Sequence, residues 1–303
     1  MKRFFAGTCL ILQLSGFLFL QSCGDRQRSD DGITNTSNSG NSDTLGAEKA
    51  EKIQEIFYSI PSPMEMATLL KRAGASYEVN VLSDVKRVND YTSARSQALN
   101  LGIYGADLSY ASIFNQNQES IIYLSCIKKL ADKLGVSKAF DESAIERMEM
   151  NLENRDSLLN IISETYFMLD AYLKENGRDH ISAMIIAAGW IEGLYLSTTI
   201  ASKPGNADPG LIQRIAEQKL SLDNLQELVK AYNSSGQLDE ILADLNNIES
   251  AYADVIVTKG IASVTKAEDG TTVIGGNPPA QMSKTKLAEI SKVVSEIRTK
   301  YTS

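Results

Sequence analysis

The chain has 303 residues, with 30 Lys and Arg against 38 Asp and Glu, a formal charge of −8. A negative chain without a basic run interleaved with aromatics lacks the electrostatic footprint of a nucleic-acid binder, so no nucleic acid is expected as partner. One histidine, His180, and no Cys-x-x-Cys exclude histidine-built zinc sites and a di-iron centre of paired Glu-x-x-His motifs, and no metal or cofactor is expected.

The chain opens with Lys2 and Arg3, followed by an apolar run from Phe4 to Leu20 that is broken by Gln13 and Ser15. This charge-then-apolar order is the layout of a signal peptide, over residues 1–22. A spanning helix needs about 20 predominantly apolar residues, more than this run supplies. Leu20-Gln21-Ser22-Cys23 resembles the lipobox of bacterial lipoproteins, with Gln21 standing where the family carries a small residue. The resemblance implies cleavage before Cys23, a diacylglycerol on its sulfur and acylation, such as palmitate, of the new amino group. Each buried methylene stabilises such an anchor by about 0.8 kcal/mol, so two or three chains hold firmly. The membrane, reached through the N-terminal lipid, is therefore one expected partner. Cleavage removes two basic and no acidic residues, leaving 28 against 38, or −10.

Residues 23–46 carry the lipidated cysteine and a Ser, Asn, Thr, Asp and Gly-rich stretch with almost nothing to bury, which predicts a disordered tether. As a flexible coil it would span about 25 Å on average. Asp30 and Asp31 are similar to the acidic export signals of surface lipoproteins. Together with the lipobox they predict a cell-envelope protein anchored to the outer membrane, on its periplasmic or its cell-surface leaflet.

From residue 47 to 303 the pattern is that of an all-α domain, a multi-helix bundle of about ten helices. Roughly 250 residues bury close to three quarters of their unfolded surface, enough for a self-sufficient core. Ser62, Pro63 and Glu65 form a capping-box start with proline in the first turn, and Gly74 suits its stop. Asp208-Pro209 starts a later helix, and Ser234 with Gln237 is read as starting another. Leu238, Ile241, Leu245, Ile248 and Tyr252 repeat at helical spacing, as do Leu287, Ile290, Val294, Ile297 and Tyr301, each predicting an outer helix with one buried stripe. "SQALNLGIYGADLSYASIF" and "ISAMIIAAGWIEGLYLSTTI" are apolar or small nearly all round and are expected to be two central helices, with Gly102, Gly105, Gly189 and Gly193 allowing close approach. "IASVTKAEDGTTVIGG" alternates β-branched residues around Glu268-Asp269-Gly270 and predicts a small β-hairpin at about 261–275.

Catalytic signatures are scarce. The chain has no phosphate loop, dinucleotide fingerprint or Gly-x-Ser-x-Gly elbow. Glu119-Ser120 resembles the catalytic glutamate motif of lytic transglycosylases, but the supporting downstream segment is missing. Three acids keep apolar company: Asp107 in "IYGADLSYA", Glu164 in "NIISETYFML" and Glu192 in "AGWIEGLYL". Buried carboxylates must be paired, hydrogen-bonded or protonated. Either tyrosines, Arg95 and Arg178 satisfy them as core structure, or Asp107, Glu164 and Glu192 with Tyr104 and Trp190 build a pocket for a small polar ligand or for glycan hydrolysis, which needs two carboxylates about 5 to 10 Å apart. "PSPMEMATLLKRAGASY" and "GWIEGLYL" resemble all-helical envelope lipoproteins of unassigned activity. That resemblance carries no mechanism with it; the first expectation is a non-enzymatic binding or assembly component at the outer membrane or cell surface, with an envelope protein as its partner and the hairpin and acidic outer faces as its contacts.

Overall fold

The computed structural model describes residues 52–139, 142–151, 154–203, 208–257, 263–266, 272–275 and 282–303. The signal peptide, Cys23 and the tether expected over residues 1–46 lie outside the described residues. Ten α-helices occur among the described residues: α1 (52–59), α2 (Pro63–Arg72), α3 (Ala94–Ile113), α4 (Asn117–Leu134), α5 (Glu142–Met150), α6 (Arg155–Glu175), α7 (Asp179–Ala201), α8 (Pro209–Tyr232), α9 (Asp239–Ala251) and α10 (Lys284–Thr302). Two single 3₁₀ turns, Val79–Val81 and Val85–Asn89, lie between α2 and α3. β1 (Ser263–Lys266) and β2 (Thr272–Gly275) pair antiparallel, with Ser263 opposite Gly275 and Lys266 opposite Thr272. The turn expected at Glu268-Asp269-Gly270, and whatever the pair packs against, lie outside the described residues.

Helix starts follow local chemistry. Ser62 Oγ accepts from Glu65 N at 3.3 Å while the Glu65 carboxylate accepts from Ser62 N at 2.7 Å, closing a capping box on α2. Asp208 Oδ1 accepts from Leu211 N at 3.0 Å at the start of α8. The expected Ser234 cap is replaced. Asn233 Oδ1 accepts from Leu238 N at 2.9 Å and its amide donates to Asp239 Oδ1 at 2.6 Å, so the side chain one residue earlier closes the approach to α9, which begins at Asp239.

α3 and α7 pack most extensively against each other, and nearly every residue of both is buried. Their crossing requires residues without a side chain. A Cβ at Gly102 would overlap the Ile185 carbonyl and lie 2.9 Å from Gly189 N, while one at Gly189 would lie 3.3 Å from the Gly102 carbonyl oxygen. α7 is the one described helix long and apolar enough to cross a membrane, yet α2, α3, α6, α8 and α10 all pack on it. The outer helices α9 and α10 bury the predicted stripes, Leu238 to Tyr252 and Leu287 to Tyr301.

Candidate functional site

The two central helices each carry one acid into the core. Asp107 on α3 and Glu192 on α7 are both fully buried. α10 supplies the missing cation: Arg298 Nε donates to Glu192 Oε2 at 2.9 Å, and Nη2 donates to Oε1 at 3.2 Å. The same Nη2 reaches Ser83 Oγ at 2.8 Å, in the segment between the two 3₁₀ turns. Ser83 N in turn donates to Asp107 Oδ2 at 3.1 Å, and the Tyr123 hydroxyl donates to the Ser83 carbonyl at 2.9 Å. The Tyr195 ring covers the guanidinium, 4.4 Å from its carbon to the ring centroid. One arginine therefore ties α7, α10 and the α2–α3 connection together.

Burial first, and then the charge of Glu192, push the Asp107 carboxyl well above the ordinary carboxylate range, against the opposing pull of Arg298 and the Ser83 hydrogen bonds. Burial also raises Glu192, while Arg298 and its hydrogen bonds hold it down. Among the described residues no donor reaches Asp107 Oδ1. A proton on that oxygen makes it a donor toward Glu192, the adjacent acid. The cluster then holds a neutral acid, one carboxylate and one guanidinium, with no net charge left in the core. Burial lowers Arg298, but Glu192 and Asp107 outweigh it and raise the group, so the guanidinium stays charged.

Of the five pocket candidates, Tyr104 lies beside this cluster, fully buried, its hydroxyl donating to the Asp84 carbonyl at 3.0 Å. Glu164 does not join it. The buried stripe of α6 runs through Leu158, Ile161, Ile162, Thr165 and Leu169. At about 100° per residue, Glu164 points well off that stripe. It stands on the surface, paired with Arg147 at 2.9 Å, and the expectation of a core-facing Glu164 is corrected. Trp190 faces elsewhere, lining a groove with Tyr58, Pro61 and Phe167. Arg95 and Arg178 are also placed differently from expectation: Arg95 pairs with Glu240 at 2.8 Å, and Arg178 donates to the Leu134 carbonyl at 2.9 Å. Arg298 is the residue that sequence reasoning missed. Its signal was its place on the α10 stripe, four residues after Val294 and next to Ile297.

Two carboxylates and a guanidinium could activate or orient a substrate only if one could reach them. Neither carboxylate is exposed to solvent, and three of the four oxygens already accept from protein donors, Asp107 Oδ2 from Ser83 N and both Glu192 oxygens from Arg298. Among the described residues no group of three or more His, Cys, Asp or Glu is placed to hold a metal ion. Searches against protein-family models, curated proteins and solved structures return no match for this chain.

Proposed function

We propose that the protein is a lipid-anchored component of the bacterial envelope, held at the outer membrane through Cys23, whose helical domain binds or assembles with a partner and performs no chemistry. The observation that carries the non-enzymatic part is the closed Asp107–Glu192–Arg298 cluster: the acids best suited to catalysis are spent on holding three elements of the core together. The alternative, a ligand-binding or glycan-hydrolysing pocket centred on Glu192 and Asp107, needs those carboxylates to share a solvent-reachable cavity, and their complete burial weighs against it. The anchor part rests on the charge-then-apolar start and on Leu20-Gln21-Ser22-Cys23.

Metabolic labelling with an alkyne fatty acid tests the anchor. Wild-type protein should take up the label in its N-terminal peptide and partition with detergent, and Cys23→Ser should lose the label. An unlabelled wild type, or label persisting in Cys23→Ser, would remove the anchor from the proposal.

A further inference from the structure

An apolar cavity lies apart from the acid cluster. It measures about 40 Å³, sits among α3, α4, α6 and α7, and is lined by the buried side chains of Leu101, Leu108, Ile127, Ile162, Leu169 and Ile185. Two hydroxyl-bearing residues complete it. The Thr165 hydroxyl is spent on the Ile161 carbonyl at 2.7 Å. The Tyr166 hydroxyl makes no hydrogen bond among the described residues, and burial alone pushes it above its ordinary pKa. Tyr166 is aimed at the crossing of the central helices: a Cβ at Gly105 would lie 2.5 Å from its Oη, and one at Gly189 would lie 3.5 Å from it. The same side chain also lines a groove of about 200 Å³ with Phe57, Tyr58, Ser163 and Phe167, and Tyr58 there is 59% exposed. Tyr166 therefore stands between an interior cavity and a groove that reaches solvent.

A hydroxyl held in the core without a partner costs stability. Turning Tyr166 outward into the groove returns that hydroxyl to water and opens a gap one side chain wide, backed by Gly105 and Gly189, from the groove to the cavity. The lining then selects the occupant. A peptide or a sugar would carry amides or hydroxyls into a space whose fixed hydroxyl, on Thr165, is already engaged. An alkyl chain leaves nothing unpaired there, and each methylene that enters gains from burial. Polar groups gather only at the groove, where the Ser163 and Tyr166 hydroxyls can donate to a carbonyl and the Glu65 carboxylate repels a second carboxylate, so the chain that fits carries a neutral ester and not a free acid. We propose that the cavity takes the end of one acyl chain of an ester lipid drawn from the membrane, with Tyr166 as the gate through which it enters.

This adds a lipid site to a domain read as a non-enzymatic binding component, and its test reads the cavity and not the anchor. Full-length protein is reconstituted in phosphatidylcholine vesicles that contain a phosphatidylcholine with a diazirine at the end of one acyl chain, irradiated, and mapped by peptide mass spectrometry. The label should appear on the cavity residues Ile127, Leu169 and Ile185. Tyr166→Phe keeps the ring and removes the hydroxyl that favours opening, so cavity labelling should fall by roughly fivefold, equivalent to about 1 kcal/mol. Tyr166→Ala, with its fold checked by thermal melting, removes the gate and should raise labelling above wild type. Label confined to exposed residues such as Tyr58 and Met168 would overturn the proposal, because the membrane would then touch the surface without filling the cavity. Wild-type labelling in Tyr166→Phe would overturn the gate. Cavity labelling in Cys23→Ser but not in wild type would overturn the assignment to a separate lipid, by seating the protein's own acyl chain in the site.

Discussion

Arg298 and Glu192, 106 residues apart in sequence, form a bidentate pair inside the domain, with Nε and Nη2 of one on the two carboxylate oxygens of the other. The Glu192 side chain is wholly buried and that of Arg298 is 15% exposed, so water screens the pair little. Removing one member of a buried pair leaves the other uncompensated. Arg298→Met should therefore destabilise the domain by about 3–5 kcal/mol, read from the urea unfolding midpoint. Arg298→Lys should recover only part of that loss, because an ammonium cannot bridge both Glu192 oxygens and Ser83 in one plane. A loss under about 1 kcal/mol in Arg298→Met would mean that the pair does not hold the core.

Asp107 and Glu192 should respond differently to amide substitution. Burial holds the Asp107 carboxyl well above the ordinary carboxylate range, so a neutral asparagine there replaces a group that favours its uncharged form and keeps a carbonyl for the Ser83 N–H. Asp107→Asn should cost about 1 kcal/mol or less, whereas Glu192→Gln strands the Arg298 charge and should cost about 3 kcal/mol or more. Comparison of the two midpoints at neutral pH decides it; equal losses would place the proton elsewhere.

The raised Asp107 group also gives a pH signature. Between its unfolded value, about 3.9, and its higher folded value, the native state binds more protons than the unfolded chain. Unfolding free energy then falls as pH rises through that window, because burying Asp107 becomes a growing cost. Below the window the cost is absent. The melting temperature of Asp107→Asn, relative to wild type, should accordingly climb as pH is raised from about 4 and then level off. A difference that is flat with pH would show an Asp107 carboxyl of ordinary acidity.

How far this was readable beforehand depended on the range of the signal. Period and caps are local, and the stripes Leu238–Tyr252 and Leu287–Tyr301, the box at Ser62 and the all-round burial of α3 and α7 follow from residues within one helix. The partner of a buried acid is not local. Asp107 and Glu192 announced that something must satisfy them, but Arg95 and Arg178 were as eligible on paper as Arg298. Only the docking of α10 on α7 chooses between them. Glu164 shows the opposite error. Apolar neighbours in sequence do not bury a helical residue that stands off the stripe, and Glu164 stands off it.

The crossing of α3 and α7 should tolerate no added carbon at Gly102. The Cβ of an alanine there would run into the Ile185 carbonyl, and backbone cannot swing aside as a flexible side chain can. Gly102→Ala should cost about 3 kcal/mol, at or beyond the upper end for overpacking, despite alanine's better helix propensity. Gly135→Ala, at the left-handed end of α4 with open space around it, should cost only the φ penalty of about 1–2 kcal/mol. Urea unfolding of both variants should rank Gly102→Ala as the more damaging; the reverse order would mean that the two central helices do not approach this closely.

Thiol chemistry links the fold to the proposed anchor. Cys126 is 7% exposed, its Sγ directed at the Val85 carbonyl, and burial raises its thiol above the ordinary value. A buried, protonated thiol is a poor nucleophile, so an aromatic disulfide reagent should leave native protein extracted from membranes unreacted over minutes. In denaturant the count becomes informative. Of the three cysteines, Cys9 leaves with the signal peptide and Cys23 is blocked as a thioether under the proposal, so one thiol should titrate. Two would mean that Cys23 carries no lipid on sulfur. Fast reaction of the native protein would instead mean that the α4 face around Cys126 opens, which its contact with the second 3₁₀ turn does not allow.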